Sequence, residues 1–501
     1  MLERLLLIRA DAGPEIGTGH VMRCLALAQG WQDSGGHALF AITAEIPAIE
    51  QRLASEGFRI ERIGAKPGSV DDAAVTGELA SRLNASLTVL DGYCFGAEYQ
   101  RSLKKAGQKI LKIDDHGQAE NYFSDLVLDQ NTGAAEEFYR NREAYTQLLL
   151  GPQYALLRRE FRAWREWTRG FSATACKLLV TLGGADPGNM TLRIVEALKK
   201  IQMDGLEATV LVGAANPNLA EIEAAARGNP SIRLLRSIPN VPYEMARADI
   251  AIIAAGGTLW ELLFMGNCVL SYSRNPIQAD VLSGLADHGA LNWLGPVNEF
   301  DEERLVQQIT HVSTQRACRE RMSAKARAMV DGMGVHRVLQ AVGVDLSDSA
   351  HTVRLIAVSA SDKEEFMRMA LQHFSELNPE FTPHVDWSDC YFETIQSTPS
   401  YCLRWMMDGN ERAGFILFGI EPHRFLPRQT GMIYEVYVAP AHRRKGIARL
   451  CARQAIAEMR AFCPSKLQLE TVDGNEKANA LWQSMGFRRV SERFVLQDGR
   501  P

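Results

Sequence analysis

The 501-residue chain lacks the sequence patterns that mark several large classes of protein. Its nine cysteines form no CxxC pair and no Cys/His cluster with zinc-ligand spacing, so we expect free thiols in a reducing cytoplasm. No segment approaches the roughly 18 consecutive apolar residues that cross a membrane, and the apolar run at the N-terminus is too short for a signal peptide. The formal net charge of −5 argues against a strongly basic face. These absences predict a cytoplasmic globular protein with no nucleic-acid or membrane partner.

What the sequence does contain, up to about residue 340, is an alternation of short apolar runs with amphipathic helical patterns. Such an alternation predicts parallel sheets with helices on both faces. The alternation starts again near Lys177, after a polar stretch rich in Trp and Arg at 158–169. We therefore expect two Rossmann-like domains, at 1–170 and 171–343, that face each other across a cleft. The predicted strands are Leu5–Ile8, Leu87–Asp91, Lys109–Ile113, Leu178–Leu182, Ala208–Val212 and Ile250–Ala254.

A short polar segment without periodicity, 344–351, is interpreted as a linker, and the pattern changes after it. Residues 352–501 read as a mixed α+β domain, so the predicted fold class is α/β for the first two domains and α+β for the third. The predicted elements of the third domain are a strand at Thr352–Ala357, a helix at Asp362–Phe374, a hairpin of Ser400–Met407 with Glu411–Gly419, a strand at Met432–Val438, a helix at Gly446–Arg460, a strand at Lys466–Thr471 and a helix at Glu476–Met485.

The loop after the first predicted strand carries the first candidate catalytic residue. Gly17 and Gly19 allow the backbone to turn tightly and approach a ligand, and the amides at the start of the following helix form an anion site. His20 and Arg23 lie one helical turn apart, so both can face the same cleft. A neutral histidine is a suitable general base near pH 7, although a histidine here can also serve only to cap the helix. From the residues alone, both interpretations of His20 stay open.

This loop resembles that of the UDP-sugar hydrolases of pseudaminic acid biosynthesis, in which an Asp is followed by Ile-Gly-x-Gly-His-x-x-Arg. Four further matches follow in the same order along the first domain. These are Leu90-Asp91-Gly92-Tyr93, Ile113-Asp114-Asp115, Leu128-Asp129-Gln130-Asn131 and Gly151-Pro-Gln-Tyr-Ala-Leu-Leu-Arg158-Arg-Glu-Phe161. The run after Asp115 departs from the basic run that is usual in the family, so His116 is assigned no catalytic role.

The resemblance implies hydrolysis of a UDP-linked 2,4-diacetamido-2,4,6-trideoxyhexose at its anomeric carbon. His20 would activate a water on one face of the sugar while UDP leaves from the other. Asp11 and Tyr93 would orient His20 or the sugar, and Arg23 would contact the substrate. The sequence shows no acidic cluster of metal ligands, so no divalent ion is expected.

The second predicted domain has two glycine loops, each between a strand and a helix, at Gly183-Gly184 and Gly256-Gly257. In the second loop, Thr258 and Glu261 have the spacing of a capping box, in which each side chain satisfies the other's backbone amide. The same helix start can instead bind a diphosphate through its amides, with Glu261 accepting hydrogen bonds from ribose hydroxyls. The spacing alone does not decide between these two interpretations.

This stretch resembles the nucleotide-binding domain of the GT-B enzyme that adds GlcNAc in peptidoglycan synthesis, and equally that of the pseudaminic-pathway hydrolases. Both have Gly-x-x-x-Glu here and then a Gln, which corresponds to Gln278. The resemblance implies a GT-B-like pair of domains with a UDP site. The candidate substrate-binding residues of this domain are Gly184, Gly257, Thr258, Glu261 and Gln278.

In the third domain, the segment from Glu435 to Ala448 joins a predicted strand to a predicted helix and is suited to hold a diphosphate. A glycine admits close approach, the helix-start amides form an anion site, and three basic residues add positive charge. The run after Val-x-Pro, with Arg-x-x-Gly-x-Ala, resembles the acetyl-CoA signature of the GNAT superfamily of acetyltransferases. The candidate acetyl-CoA-binding residues here are Val438, Arg443, Arg444, Lys445, Gly446, Ile447 and Ala448.

A second segment of the third domain, from Glu470 to Phe487, matches the same superfamily. The resemblance implies that Asn475 and Ala478 contact the pantetheine arm and nearby phosphates. Trp482 stands where the superfamily usually has a tyrosine that protonates the departing thiolate, and an indole cannot serve as that acid. Glu435 is the candidate base that deprotonates the amine through a water, although a glutamate on a strand is as often structural.

The two resemblances together predict a bifunctional enzyme that binds a UDP-linked amino sugar and acetyl-CoA. Acetylation of the 4-amino group would precede hydrolysis in pseudaminic acid biosynthesis, so the two activities would act in sequence. The alternative is a GT-B glycosyltransferase with a UDP-sugar donor, fused to an acetyltransferase for an unrelated amine. Arg23 and the Asp129-Gln130-Asn131 segment favour the hydrolase. Neither the acetyl acceptor nor the oligomeric state is encoded in these motifs.

Overall fold

The structure is a computed structural model that divides into two compact units, Met1–Ser349 and Ala350–Pro501, each with its own sheets and core. No helix in the described part of the chain has both the length and the apolar character needed to cross a bilayer. The predicted linker lies outside the described residues except for Val344. The structure describes residues 4–13, 16–165, 167–184, 186, 188–213, 216–236, 241–344, 353–378, 380–409, 411–422, 429–443, 446–460, 466–471, 475–485 and 487–488.

The first sheet of the N-terminal unit has seven parallel strands in the order β3-β2-β1-β4-β5-β6-β7. Its strands are β1 Leu5–Ala10, β2 His37–Ile42, β3 Arg59–Arg62, β4 Ala85–Asp91, β5 Ile110–Ile113, β6 Leu126–Asp129 and β7 Gln147–Leu150. Its helices are α1 Gly19–Asp33, α2 Pro47–Ser55, α3 Val70–Arg82 and α4 Ala97–Lys105. The strand order reverses between β1 and β4, and ligands of such sheets bind at the carboxyl ends of the strands beside this point. The loops after β1 and β4 are therefore the places to look for a site.

The second sheet has six parallel strands in the order β10-β9-β8-β11-β12-β13. Its strands are β8 Lys177–Thr181, β9 Glu207–Leu211, β10 Ile232–Leu235, β11 Ile250–Ala254, β12 Cys268–Ser273 and β13 Asn292–Pro296. Its helices are α5 Met190–Lys199, α6 Leu219–Ala226, α7 Val241–Arg247, α8 Gly257–Phe264, α9 Pro276–Asp287, α10 Glu302–Thr314 and α11 Arg316–Met329. Here the order reverses between β8 and β11, which are the strands that precede the two glycine loops.

The last helix of the N-terminal unit, α12 (Gly334–Ala341), packs on the first sheet rather than on the second. Val335, Val338 and Leu339 are buried in the same apolar core as the inner face of α1. The two helices approach so closely that a Cβ at Gly30 would lie 2.3 Å from Val335 Cγ1. The predicted second-domain span of 171–343 therefore ends in a helix that belongs to the core of the first domain.

This packing predicts how far the N-terminal unit can be shortened. A fragment that ends at residue 345 keeps α12 and is expected to fold. A fragment that ends at residue 333 exposes the apolar face of α1 and is expected to be unfolded or aggregated, because each fully buried aliphatic side chain contributes about 1.5–3 kcal/mol. Circular dichroism melting compares the stability of the two fragments, and size-exclusion chromatography compares their aggregation. A monomeric fragment of residues 1–333 with a cooperative transition at the same temperature as the longer one would contradict it.

The C-terminal unit is built on one five-stranded sheet in the order β14-β15-β16-β17-β18. Its strands are β14 Arg354–Ala357, β15 Tyr401–Asp408, β16 Glu411–Pro422, β17 Gln429–Val438 and β18 Lys466–Leu469, and its helices are α13 Lys363–Leu377, α14 Trp387–Ser397, α15 Ile447–Arg460 and α16 Glu476–Ser484. The strand pairs are antiparallel except β17 with β18, which is parallel. Among the described residues, β18 pairs only with Thr430–Ile433, whereas β17 continues to Val438. The two strands therefore part at the end of β17 that leads to α15.

The predicted fold class is confirmed: two Rossmann-type domains with parallel sheets precede a mixed α+β domain.

Candidate active sites

A tight loop places the start of α1 at the carboxyl end of β1. Gly13 and Gly17 exchange two backbone hydrogen bonds, of 3.0 and 2.7 Å. Gly17 has a φ of +72°, in the left-handed region that favours glycine. Gly19 is the first residue of α1, and a Cβ added there would meet nothing within 4 Å. The loop thus leaves open space beside the first turn of α1, where His20 stands.

The imidazole of His20 is held by Asp91, the last residue of β4. His20 Nδ1 lies 2.6 Å from Asp91 Oδ1, and the Tyr93 ring stands edge-on to the imidazole at 5.3 Å. An Arg23 nitrogen lies 3.3 Å from the same Nδ1, but the shorter contact is to a carboxylate, which can only accept. The proton is therefore assigned to Nδ1, and the lone pair to Nε2. This is the arrangement that a general base needs.

Asp91 itself is kept ionised by Arg23. The guanidinium donates two hydrogen bonds to the Asp91 carboxylate, Nε to Oδ2 at 2.6 Å and Nη2 to Oδ1 at 2.7 Å. Burial opposes ionisation of Asp91, but the attraction of Arg23 and His20 outweighs it, and the pKa of Asp91 falls below its usual range. Arg23 therefore acts on His20 through Asp91.

The network continues to Asp115, which accepts a hydrogen bond from Arg23 Nη1 at 3.0 Å and one from Asn131 Nδ2 at 2.8 Å. Tyr93 donates its hydroxyl to Asp115 Oδ2 at 3.3 Å, while 54% of the residue remains exposed. Burial and the Asp115 charge raise the pKa of Tyr93 to about 12. The phenol therefore stays protonated throughout the neutral range and can donate a hydrogen bond.

Three members of this network, Asp91, Asp115 and Asn131, were not assigned a role from the sequence, although all three lie within the family matches. Asp91 ends β4, and the other two follow β5 and β6 by two residues. Carboxyl ends of neighbouring parallel strands meet at one edge of a sheet. Polar residues at successive strand ends were therefore the signal that could have found them.

Asp91, and not Asp11, contacts the His20 imidazole, and the alternative that Asp11 orients the sugar stays a prediction. The Asp11 carboxylate instead accepts hydrogen bonds from Arg9 Nη1 at 2.7 Å and from the backbone and hydroxyl of Thr43 at 2.8 and 2.9 Å. Asp11 thus ties β1 to β2 beside the loop.

The first glycine loop of the second domain lies next to the α1 loop. A Cβ at Gly184 would lie 3.5 Å from Thr18, two residues before His20. Gly213 backs the same loop, since a Cβ there would lie 2.2 Å from the Gly184 carbonyl oxygen. The His20 network and the candidate nucleotide residue Gly184 therefore meet at the same crevice.

The capping-box interpretation of Thr258 and Glu261 is wrong. Gly256 precedes the first residue of α8 and no side chain caps the helix, so Thr258 already lies within the first turn. Glu261 instead forms a buried two-point ion pair with Arg158, with Nε–Oε1 2.7 Å and Nη2–Oε2 2.9 Å. Burial raises the pKa of Glu261, and Arg158 partly offsets that effect. The α8 start keeps exposed glycines, Gly256 and Gly257, whose amides can meet an anion.

At the start of α9, Gln278 takes part in a helix cap. Its backbone N–H donates to Asn275 Oδ1 at 2.9 Å, and its own Oε1 accepts from the Arg274 backbone at 2.9 Å. The amide nitrogen is the end of Gln278 that can donate to a ligand. The Arg274 guanidinium lies 3.6 Å from a Cβ position at Gly183 and donates to the Leu182 carbonyl, and burial lowers its pKa. Arg274 brings a positive charge to the glycine loop that the sequence patterns did not indicate.

In the C-terminal unit, Gly446 precedes α15 with a φ of +77°, and a Cβ there would meet nothing within 4 Å. The first turn of α15, which contains Ile447 and Ala448, has no acidic residue, so its amides are suited to an anion. Arg443 donates to the Val438 carbonyl at 2.7 Å and pairs with Glu376 at 2.6 Å. The other two predicted basic residues, Arg444 and Lys445, lie outside the described residues.

The second GNAT-like segment is placed beside the sheet by α16. Asn475 caps this helix, with Oδ1 accepting from the Ala478 backbone at 3.1 Å. Trp482 is buried and packs edge-on against Phe487 at 5.5 Å. Trp482 is thus a core residue, in keeping with the argument that it is not an acid.

Glu435 lies on β17, two residues beyond the last pair that β17 forms with β18. Its Oε2 lies 2.6 Å from Nε2 of His373, which comes from α13 and was not singled out in the sequence. No group of three or more His, Cys, Asp and Glu residues with metal-site geometry occurs in the described parts of either unit.

Comparison with known proteins adds relatives for both units. Residues 368–487 match the model of the acetyltransferase (GNAT) family. Spore coat polysaccharide biosynthesis protein SpsG of Bacillus subtilis is 25% identical over 339 residues, which cover 66% of this chain and 95% of that protein. UDP-2,4-diacetamido-2,4,6-trideoxy-beta-L-altropyranose hydrolase of Campylobacter jejuni is 26% identical over 265 residues, 52% of this chain and 88% of that protein.

The N-terminal unit also aligns with solved structures. A candidate UDP-N-acetylglucosamine 2-epimerase from Listeria monocytogenes aligns with a TM-score of 0.50 at 14% identity, covering 68% of this chain and 96% of that one. MurG of Acinetobacter baumannii aligns with a TM-score of 0.48 at 17% identity, covering 68% and 99%.

The chain is thus an enzyme with a GT-B-like N-terminal unit and a GNAT acetyltransferase domain. More particularly, the N-terminal unit is a homologue of the pseudaminic-acid UDP-sugar hydrolase, and of SpsG.

Proposed function

We propose that the N-terminal unit hydrolyses a UDP-2,4-diacetamido-2,4,6-trideoxyhexose to the free sugar and UDP. We propose further that the GNAT domain first acetylates the 4-amino group of the UDP-sugar precursor with acetyl-CoA, as a preceding step of pseudaminic acid biosynthesis. The observation that carries the first proposal is the His20–Asp91 pair beside the Gly184 loop. The name of the Campylobacter relative supports the choice of sugar.

In the proposed hydrolysis, His20 Nε2 takes a proton from water as the water oxygen attacks the anomeric carbon. The bond from that carbon to the UDP oxygen breaks, and UDP leaves as an anion. Asp91 stabilises the imidazolium that forms, and Arg23 keeps Asp91 ionised. Amides at the start of α8 and the Arg274 guanidinium are the groups proposed to stabilise the departing diphosphate.

The proposed UDP site places the diphosphate at Gly256 and Gly257 and lets Glu261 face the ribose. Two lone pairs of the Glu261 carboxylate are engaged by Arg158, and a carboxylate has about four acceptor sites in all. Arg158 thus fixes Glu261 in one orientation without using all of its acceptor capacity. Gln278 and Thr258 remain proposed contacts in the same site.

In the proposed acetyl transfer, acetyl-CoA is a substrate that supplies a thioester. Gly446 and the first turn of α15 would hold its diphosphate, and Asn475 and Ala478 would lie along the pantetheine arm. Glu435, at the place where β17 and β18 part, would accept the amine proton through a water.

The experiment that tests both proposals together is mass spectrometry of the products that the full chain forms from a UDP-linked 4-amino-sugar and acetyl-CoA. We expect acetylated UDP-sugar to appear first, followed by free diacetamido sugar and UDP. Without acetyl-CoA, the UDP-4-amino-sugar should remain. A product in which the sugar is joined to a second molecule would instead support a GT-B glycosyltransferase.

Gly446→Glu is expected to abolish acetyl transfer and to leave hydrolysis of the preformed diacetamido UDP-sugar unchanged. A carboxylate at the start of α15 would repel the diphosphate at the point where the glycine now admits it. Gly446→Ala is the matched control, since it imposes the same backbone strain at positive φ without the charge. Acetyl-CoA binding by calorimetry and both activities are measured. Equal acetyl transfer by Gly446→Glu and Gly446→Ala would show that no diphosphate lies there.

A further inference from the structure

Glu435 has a partner that the GNAT-like motifs did not indicate. His373 Nε2 and Glu435 Oε2 are 2.6 Å apart, a short and charge-assisted contact. The histidine side chain is about 10% exposed and that of Glu435 about 21%. Both side chains are thus mostly buried, and Glu435 is the more exposed of the two.

The backbone of β17 turns Glu435 toward this partner. Leu417 of β16 lies opposite Glu435, whereas its neighbour Phe418 lies opposite Ile433, so β17 has one extra residue at Tyr434. Such a bulge re-aims the adjacent side chains and is common next to active sites. It occurs directly after Ile433, the last residue of β17 that pairs with β18.

Aromatic rings surround the imidazole on its other sides. Phe374, Phe415 and Tyr437 have ring centroids 5.3, 5.8 and 5.5 Å from that of His373. A hydrogen bond in such apolar surroundings is stronger than one in water, because the local dielectric constant is low. The hydrogen bond from His373 can therefore hold the Glu435 carboxylate firmly in one orientation.

We propose that His373 is a positioning residue that acts through Glu435, as a hydrogen-bonded dyad for acetyl transfer. This inference rests on the proposed acetyltransferase function. The amine nitrogen forms a bond to the thioester carbonyl carbon, the carbon–sulfur bond breaks, and CoA leaves as a thiolate that takes a proton from solvent. The proton lost by the amine passes to an oxygen of Glu435, directly or through one water, while the Nε2–H of His373 stays hydrogen-bonded to Oε2. A glutamate held in this way by a histidine can take that proton without moving toward the acceptor.

Other ionisable groups lie close to the dyad. Burial and the Glu435 charge raise the pKa of Tyr391 on α14, so its phenol stays neutral. The Tyr437 ring lies 5.5 Å from that of His373, and burial and the Glu376 charge raise the pKa of Tyr437. Glu376 is itself paired with Arg443 at 2.6 Å. The hydrogen bond to the Glu435 carboxylate comes from His373.

The test uses the full chain with acetyl-CoA and a UDP-linked 4-amino-sugar. His373→Leu removes the donor that holds Glu435, whereas His373→Gln keeps a side-chain donor. We expect turnover of His373→Leu to fall by about 10- to 100-fold with unchanged acetyl-CoA affinity, and His373→Gln to recover part of that loss. Because the two residues act as a unit, His373→Leu combined with Glu435→Gln should be no slower than Glu435→Gln alone.

His384→Leu is the matched control. His384 also lies beside a carboxylate, Asp386, but at 3.8 Å and with most of its side chain exposed, so its replacement should change nothing. Wild-type turnover of His373→Leu would overturn the dyad, as would equal losses in His373→Leu and His373→Gln or strictly multiplicative losses in the double variant.

Failure of the wild-type chain to acetylate the UDP-4-amino-sugar would instead reject the proposed acceptor. The dyad is then decided by NMR of the ¹⁵N-labelled histidine rings at a single pH. The Nε2 proton of His373 is expected to resonate further downfield in the wild-type chain than in Glu435→Gln, since a hydrogen bond to a carboxylate is shorter and stronger than one to a neutral amide. Identical spectra of the two proteins would overturn the dyad independently of the acceptor.

Discussion

His20→Ala is expected to lower the turnover of UDP-sugar hydrolysis by roughly 100-fold or more, the usual scale for loss of a general base. The affinity for UDP should hardly change, because the groups proposed to bind the nucleotide are the glycine loops, Arg274 and Glu261. Turnover is followed by UDP release from the diacetamido UDP-sugar, and UDP affinity by calorimetry.

The fold should survive this substitution. His20 makes its contact from the first turn of α1, whereas the buried face of that helix is apolar and includes Val21 and Cys24. Arg23 alone still neutralises Asp91 in the variant, through two hydrogen bonds. His311→Ala, on the exposed side of α10, is the matched control and should be as active as the wild type. Near-normal turnover of His20→Ala would remove His20 as the base.

Arg158→Met is expected to have the largest effect on stability. It leaves the Glu261 carboxylate buried without its partner, and breaking a buried ion pair in this way costs about 3–5 kcal/mol of unfolding free energy. UDP affinity should fall as well, since Glu261 then either takes up a proton or turns away. Chemical denaturation of the N-terminal unit and calorimetry with UDP give the two quantities.

The double variant Arg158→Met with Glu261→Leu separates structure from binding. Replacing both members of a buried ion pair by apolar residues is often neutral, so stability should largely return. UDP affinity should stay low, because the acceptor proposed for the ribose is gone. Recovery of UDP affinity together with stability would assign Glu261 a purely structural role. A stable Arg158→Met single variant would show that the pair contributes little to folding.

The sequence was sufficient for the fold because local periodicity carries most of that information. Ile250–Ala254 is a run of apolar residues and was predicted with both ends correct. The strand β3, Arg59–Arg62, was not predicted, since it is a short edge strand of mainly polar residues. The packing of α12 on the first domain could not be predicted from local patterns either. The apolar stripe of this helix indicates that one face is buried, but not which part of the protein covers it.

The candidate site was predicted only where its signal is local. His20 stands in a glycine-rich loop and could be found, but its partner Asp91 lies 71 residues away and becomes its neighbour only through the order of the strands. The spacing of Thr258 and Glu261 fits the capping-box pattern, but the two residues do not form a capping box in the structure. Arg158, 103 residues earlier in the chain, takes the carboxylate instead. Ion pairs between distant residues are therefore the part of the site that only the fold supplies.

The most direct test of hydrolysis at the anomeric carbon is the fate of oxygen from H₂¹⁸O, measured by mass spectrometry during turnover of the diacetamido UDP-sugar. A parallel incubation of unlabelled free sugar measures spontaneous exchange of the anomeric oxygen. Attack of a His20-activated water on that carbon predicts one ¹⁸O in each newly released sugar, above exchange, and none in UDP. Label in the phosphates of UDP, or release of UDP with the sugar joined to an acceptor other than water, would contradict it.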